Sequence, residues 1–334
     1  MRGRFKQRSA LAKHKSRDAG SAPSLEGEGN TTRATRLSTA PRVALLIESS
    51  NAYARGLLSG IAEFVQAHGA WSIYFPEISR DDGSADRLHG WTGDGVIVRA
   101  ESQATLRTLA HCRCPIVNVS AAGLLPKAPA FHSDVRAETE VAFEHLWERG
   151  FRHLGFCGVR DYCWSGWQQE RFGELARAKG LEVSSHVVSL RGQQPREWTD
   201  DRRALTAWLR ALPKPAGVFA CFDLRGQQVL DACREAGIAV PEQVAVIGVD
   251  NDPVRCNLSD PPLSSVAPNA RRIGYLAAEH LAAMMDGSPA RRACIWFRRP
   301  ASSRGHRRTR WLSTTPMSPP RCASCAPIRV GRPV

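Results

Sequence analysis

The stretch GVFACFDLRGQQVLDACREAGIAVPEQVAVIGVD, residues 217–250, decides the fold class. It opens and closes on short apolar runs, GVFACF and VAVIGV, which are typical of strands covered on both faces. Between them, RGQQVLDACREAG has helical spacing and ends at Gly237, a residue favoured just beyond a helix C-terminus. A strand, a helix and a second strand within this length predict a βαβ unit with parallel strands.

The same alternation extends outward in both directions along the chain. Toward the N-terminus we predict strands at 42–48, 71–75, 93–98 and 115–120, and helices at 56–69 and 102–112. A second set of alternating elements begins near Thr139 and leads up to residues 217–250. It has helices at 139–150, 168–180 and 200–212 and strands at 153–159 and 183–190. The stretch 263–287 is predicted as one long helix opened by a turn at Pro268 and Asn269. Two such sets in tandem predict an α/β protein of two lobes, each a doubly wound parallel sheet, with a cleft between them.

The charge distribution separates a nearly neutral body from two basic ends. The chain has 334 residues and a formal net charge of +14. Residues 1–42 carry 10 Lys and Arg against 3 acids, and residues 297–334 carry 9 Arg and no acid. We therefore predict a disordered basic extension over 1–42, a first lobe over 43–138 completed by the helix at about 265–287, a second lobe over 139–264, and a linker and disordered tail over 288–334.

Composition and motifs exclude several classes of protein. No apolar run approaches the roughly 20 residues of a membrane span, and the N-terminus lacks the apolar stretch of a signal peptide, so we expect a cytoplasmic protein without membrane contact. The ten cysteines and ten histidines have no framework or ligand spacing, which predicts no metal site and no cofactor. Hydrolase, phosphate-loop and zinc-protease motifs are absent, so we predict no catalytic residues.

Polar side chains cluster where the predicted strands end. They lie between Glu48 and Arg55, at Asp134, between Asp161 and Arg171, at Asp223 and Arg225, and from Asp250 to Asp252. Ligands of open α/β sheets bind beyond the carboxyl ends of the strands. Carboxylates, amides and guanidinium groups mixed with Tyr53, Trp164 and Trp167 suit a sugar, whose hydroxyls need donors and acceptors and whose C–H face stacks on a ring. Each Asp or Asn could also be an ordinary helix N-cap.

Four stretches carry a resemblance to a known family: GLLSGIAEFVQ, LHGWTGDGVIV, VAFEHLWERGFRHLGFCG, and VPEQVAVIGVDNDPVRCNLSDPPLSSVAPNARRIGYLAAEHLAAMM. Over residues 43–296 the chain resembles the sensor domain of bacterial xylose operon regulators. In that family a sensor similar to periplasmic sugar-binding proteins and the lac repressor precedes an AraC-type DNA-binding domain. The resemblance implies a two-lobed, type I periplasmic-binding-protein-like fold.

The resemblance also implies partners and a site. The expected ligand is D-xylose or a related pentose, the intact family binds operator DNA, and a homodimer is expected. The resemblance implies these ligand-binding residues: Tyr53, Arg55, Asp134, Trp167, Glu170, Arg171, Asp223, Arg225, Asp250 and Asn251. Two alternatives stay open, a stand-alone sugar receptor without DNA recognition and a two-lobed enzyme using cleft carboxylates such as Asp223 and Asp250.

The C-terminal stretch departs from the family. FRRPASSRGHRRTRWLSTTPMSPPRCASCAPIRVGRPV, residues 297–334, has no acid and no helical period, whereas the family continues with a strand, a linker and two helix-turn-helix units. Back-translation in the shifted frame that begins at the last base of Trp296 permits VPPxGVxTRxSTDALAVDDxDVAAALR, which resembles that continuation. We therefore predict a frameshift near Trp296, no sequence-specific operator binding by this chain, and an uncovered sheet edge where the family strand packs on the second lobe.

Overall fold

The computed structural model describes residues 40–77, 88, 91–190, 195–288 and 294–297, with the backbone alone for 195–198 and 294–297. The predictions for most of the basic extension, residues 1–39, and for residues 298–334, including Arg298 and Arg299, lie outside the described residues. The fold prediction is confirmed, because the described strands form two parallel sheets with helices on both faces.

The first sheet has six strands in the order β11-β5-β4-β3-β1-β2. They are β1 (Arg42–Leu46), β2 (Ser72–Tyr74), β3 (Gly95–Val98), β4 (Ile116–Asn118), β5 (Ala130–Ser133) and β11 (Cys294–Phe297). The helices of this lobe are α1 (Ala52–His68), α2 (Gln103–Leu109) and α8 (Ala270–Met285). Successive residues of β1 alternate between two cores, one under α1 and α8 that holds Val43 and one on the opposite face that holds Ala44. This alternation is what a strand covered on both sides requires.

The second sheet has five strands in the order β10-β9-β8-β6-β7. They are β6 (His153–Val159), β7 (Val183–Val188), β8 (Ala216–Ala220), β9 (Val244–Val249) and β10 (Ser264–Val266). The accompanying helices are α3 (Val135–Glu148), α4 (Cys163–Arg177), α5 (Pro195–Ala211), α6 (Asp223–Ala236) and α7 (Pro253–Leu258). Phe156 and Phe219 fill the core on the side of α3 and α4, and Cys157 and Val218 fill the core on the other face.

The helices α1 and α8 cross at close range in the first lobe. A Cβ atom at Gly60 would overlap the backbone carbonyl of Arg271, and one at Gly274 would overlap that of Leu57. The two helices can approach this closely only because both positions lack a side chain. The last described helix of the chain is therefore an integral part of the lobe built by its first strands.

One predicted element is wrong and several elements were not predicted. The stretch 263–287 is not one helix, because Ser264–Val266 form strand β10 and the helix begins only after Pro268 and Asn269. The strand Ala130–Ser133 and the short helix Pro253–Leu258 were not predicted. The strand Cys294–Phe297 was not predicted either, and it pairs with β5 in the first sheet. The family strand expected after residue 296 would fall on residues beyond Phe297, which lie outside the described part of the chain.

Candidate functional site

Residues at the carboxyl ends of strands of both sheets line a cleft between the lobes. First-lobe residues lie on β5 or after β1, β3 and β4, and second-lobe residues lie on α3, at the end of β9, or after β6, β8, β9 and β10. The lining consists of Tyr53, Arg99, Glu101, Val119, Ser120, Ala121, His132, Ser133, Val135, Glu138, Trp164, Gln168, Cys221, Val249, Asp250 and Pro268.

A buried ion-pair cluster forms the first-lobe wall of the cleft. Arg99 pairs with Glu48 and, with its Nε 3.4 Å from Oε1, with Glu101, and it lies over the ring of Tyr53 at 5.2 Å from the centroid. Burial opposes the charge of Arg99, but attraction to both carboxylates outweighs this effect, and the pKa of Arg99 is raised. Its charge is thus neutralised from within its own lobe. An anionic ligand would have to compete with two carboxylates already in place.

Two groups near this wall keep their protons at neutral pH. Burial raises the pKa of Glu138 to about 8, and the charge of Asp250 adds to the shift. Burial also raises the pKa of the Tyr53 phenol, against the attraction of Arg99. A protonated carboxyl and a phenol can each donate one hydrogen bond and accept another. The cleft therefore offers donors as well as acceptors to a neutral ligand.

Two further groups have defined hydrogen-bonding roles. His132 Nδ1 lies 3.0 Å from the carbonyl oxygen of Ser133, so Nδ1 carries the proton, while burial lowers the pKa of the ring and keeps it neutral. Gln168 donates from Nε2 to the carbonyl oxygen of Cys221 at 3.2 Å. Its Oε1 is buried and has no hydrogen-bond partner among the described residues. A buried acceptor without a partner costs free energy unless a ligand supplies the missing donor.

An aromatic wall completes the second-lobe side. Trp164 stacks on Tyr162 with centroids 5.1 Å apart and planes 8° apart, and it meets Phe222 edge-on at 5.8 Å. These contacts fix the indole of Trp164 in the lining. Such a ring surface suits the C–H face of a sugar ring. Trp164 and Gln168 are four residues apart on α4, so one helix face supplies both the ring and the amide.

Of the ten residues predicted to bind ligand, Tyr53 and Asp250 line the cleft. Asp134 instead caps α3, where its Oδ1 accepts from the backbone N–H of Ala137 at 3.0 Å. Arg55 pairs with Asp252, and Arg171 pairs with Glu140 and Glu174 between α3 and α4. The structure places Trp167 with its ring 6.5 Å from that of His132, and Glu170 is exposed on α4.

Asp223 supports the loop that follows β9 rather than lining the cleft. It is 1% exposed, and its carboxylate accepts from Ser265 Oγ at 2.5 Å and from the backbone N–H of Asp252 at 2.7 Å. Burial and the charge of Asp250 raise the pKa of Asp223. Asn251 donates its backbone N–H to Ser265 Oγ at 2.9 Å. These bonds hold a loop in which Asp250 and Asn251 have φ values of 108° and 49°, a region rarely adopted outside glycine.

Arg225 lies in the second lobe, under the sheet. It is fully buried and donates from Nη1 to Asp201 at 2.8 Å and to Gln228 at 2.7 Å. It is outside the cleft lining because its guanidinium group points to α5 and to its own helix.

The sequence analysis missed seven polar residues of the lining: Arg99, Glu101, Ser120, His132, Ser133, Glu138 and Gln168. The strand-end rule could have found the first two, which follow the predicted strand GDGVIV. It could not have found His132 and Ser133 on β5, or Glu138 on the helix α3 that follows, because β5 was not recognised.

Two kinds of site find no support in the described part of the chain. Among the described residues, no group of three or more His, Cys, Asp or Glu side chains is arranged to hold a metal ion. None of the described helices combines the length and the apolar character that a bilayer span needs.

Comparison with known proteins adds two family models and several relatives. The XylR N-terminal domain matches residues 42–128, and the Periplasmic binding protein-like domain matches residues 143–305. The chain is 34% identical over 252 residues to the xylose operon regulatory protein of Escherichia coli K12, covering 73% of this chain and 64% of that protein. It is 30% identical over 255 residues to the Haemophilus influenzae protein of the same name, covering 74% of this chain and 65% of that protein. The chain thus spans less than two thirds of the length of these relatives.

Two solved structures of transcriptional regulators are similar in fold to this chain. The structure of the xylose-binding transcription activator xylR is similar with a TM-score of 0.68 at 29% identity, covering 77% of this chain and 66% of that one. The transcriptional regulator CelR in its cellobiose complex has a TM-score of 0.62 at 21% identity, covering 79% of this chain and 86% of that one, and shares the fold.

Proposed function

Because this chain is a homologue of the xylose operon regulatory proteins and contains their sugar-sensing domain, we propose that it binds a neutral pentose, D-xylose in particular, in the cleft between its lobes. The observation that carries the proposal is the mixed lining of the cleft. The first lobe contributes Tyr53, the second contributes Glu138, Gln168 and Asp250, and Trp164 adds an aromatic surface. Hydroxyl groups are both donors and acceptors, and this lining offers partners of both kinds.

The electrostatics of the cleft favour a neutral sugar over an anionic one. The described lining contains an arginine, Arg99, and its guanidinium group is already paired with Glu48 and Glu101. Asp250 adds a further carboxylate on the opposite lobe. A sugar acid or sugar phosphate would bring its charge into this acidic surrounding without gaining an unpaired cation.

The proposed response is a shift between open and closed forms. A sugar that contacts both lobes stabilises the closed form by its differential affinity for the two forms. In a regulator, this shift would change how paired subunits present their DNA-binding parts. Homodimer formation, action on operator DNA within a complete regulator, a cytoplasmic location and a purely binding, non-catalytic role are parts of this proposal.

A calorimetric panel tests the proposed function. D-xylose, L-arabinose, D-ribose, D-glucose and the anion D-xylonate are titrated into the protein, and thermal unfolding is followed in parallel. A pentose at 100 times its dissociation constant should stabilise the fold by about 2.7 kcal/mol. Asp250→Asn should weaken pentose binding, while Arg271→Met, which removes an exposed ion pair with Glu63 on the first-lobe surface, should not. Tightest binding of D-xylonate, or no binding of any sugar, would contradict the proposal.

A further inference from the structure

An ion pair between Arg55 and Asp252 links the two lobes across the cleft. Arg55 lies in the first turns of α1 in the first lobe, and Asp252 lies in the loop after β9 in the second lobe. Arg55 Nη2 is 3.0 Å from Asp252 Oδ2, and Arg55 Nη1 donates to the carbonyl oxygen of Ser49 at 3.1 Å. The guanidinium group is thus held by its own lobe on one side and by the opposite lobe on the other.

The carboxylate of Asp252 is held by hydrogen bonds within its own lobe, independently of Arg55. Its Oδ1 accepts from the backbone N–H of Val254 at 3.0 Å, and its own backbone N–H is bound by Asp223. The Asp252 side chain is 5% exposed, whereas that of Arg55 is 42% exposed. The second lobe therefore presents a rigid, largely buried acceptor, and the first lobe brings a more mobile cation to it.

The same loop carries Asp250, a residue of the cleft lining. Asp223, Asp250 and Asp252 place three carboxyl groups close together, and burial together with the charge of Asp250 raises the pKa of Asp223. A positive charge from the opposite lobe reduces the repulsion within this acidic loop. It does so only while the lobes are close enough for the pair to form.

We propose that Arg55 is a positioning residue, an interlobe latch that acts through Asp252 to hold the cleft closed around the Asp250 loop, and not a ligand of the sugar. The latch raises sugar affinity by increasing the fraction of molecules already in the binding-competent form. The ion pair thereby also sets the fraction of molecules whose cleft is closed in the absence of sugar. This inference revises the role that the sequence gave to Arg55.

Closure can be measured without any sugar, because Cys163 Sγ of the second lobe lies 3.4 Å from the carbonyl oxygen of Ala121 in the first. In an Ala121→Cys variant the two thiols should form a disulfide when diamide accepts their two electrons and two protons. We expect Arg55→Met and Asp252→Asn each to slow this cross-link by about two- to fivefold, as the loss of one partly exposed ion pair implies. Arg55→Lys should retain most of the rate, and added salt should slow the parent but not Arg55→Met.

Two controls separate the latch from general effects. Arg271→Met breaks an exposed pair within the first lobe and should leave the cross-linking rate unchanged. A Cys163→Ser change in the Ala121→Cys protein gives the background from the other cysteines. Equal rates for the parent, Arg55→Met and Asp252→Asn would overturn the latch.

A second experiment rests on the proposed function and uses D-xylose affinity in the protein without the Ala121 change. Arg55→Met and Asp252→Asn should each raise the dissociation constant by about fivefold, and the double variant should raise it no further. A double variant whose loss equals the product of the two single losses, or a loss confined to Arg55→Met, would mean that Arg55 contacts the sugar and would overturn the proposal. If the parent binds no sugar, the proposed function fails and the cross-linking rates alone decide the latch.

Discussion

The substitution Gln168→Met separates a ligand-binding role from a structural one. In the cleft, Gln168 Oε1 is a buried acceptor without a partner among the described residues, while Nε2 donates to the carbonyl oxygen of Cys221. Methionine has a similar volume, so the replacement changes polarity more than packing.

The effect on folding should be small because two terms oppose each other. Removing the unpaired Oε1 recovers about 1–3 kcal/mol, and losing the Nε2 bond leaves the Cys221 carbonyl without its donor at a cost of about the same size. We therefore expect the free energy of unfolding to change by less than about 1 kcal/mol. Sugar binding has no such compensation, because a hydroxyl that donates to Oε1 loses its acceptor inside the closed cleft. A cost of about 1.5–3 kcal/mol weakens binding about 10- to 150-fold.

The assay is isothermal titration with D-xylose, combined with urea unfolding in the absence of sugar. Gln227→Met is the matched control. Gln227 Oε1 accepts a hydrogen bond from Arg255 at 3.1 Å, and Gln227 is not part of the cleft lining. An affinity of Gln168→Met within twofold of the parent protein would refute the reasoning. So would an equal loss of affinity in both variants.

Three further predictions concern the stability of the fold. Burial raises the pKa of Glu138 from near 4.5 to about 8, so the folded protein holds a proton that the unfolded chain releases, and stability is lost as the pH rises between these values. Glu138→Gln should remove that loss. The urea midpoints of the variant and the parent protein should agree at pH 4.5 and diverge by pH 8.5. Gly274→Ala should destabilise the first lobe by about 3 kcal/mol or more, whereas Gly173→Ala, on an open face of α4, should stabilise the fold by about 0.5–1 kcal/mol in chemical denaturation. Arg99→Met should cost about 3–5 kcal/mol in urea unfolding at pH 7, because it leaves two buried carboxylates without their cation; a loss below about 1 kcal/mol would contradict this reasoning.

The fold was predictable because its elements are long and bounded by clear signals. The apolar run of β9 and the helix that ends at Gly237 are examples. The strands that escaped prediction, β5, β10 and β11, are only three or four residues long. Such short elements are defined by pairing with neighbouring strands and not by their own periodicity.

The site was only partly predictable from the sequence for a geometric reason. The strand-end rule selects loops, which is how Tyr53 and Asp250 were found, but it does not select helix faces. On α4 the cleft receives Trp164 and Gln168, while Arg171 turns toward α3. The rotation of a helix about its axis is set by packing against its neighbours, and one sequence does not specify it at a polar boundary.

The close crossing of α1 and α8 has a consequence for biosynthesis. The second lobe is built from one uninterrupted run of chain. The first lobe needs both its N-terminal strands and helix α8, which is synthesised only when the chain has grown to residue 285. Contacts between segments so far apart in sequence form late. During translation, the lobe whose synthesis starts first is therefore the one that is finished last, and until then its exposed apolar sheet face must be protected from other nascent chains.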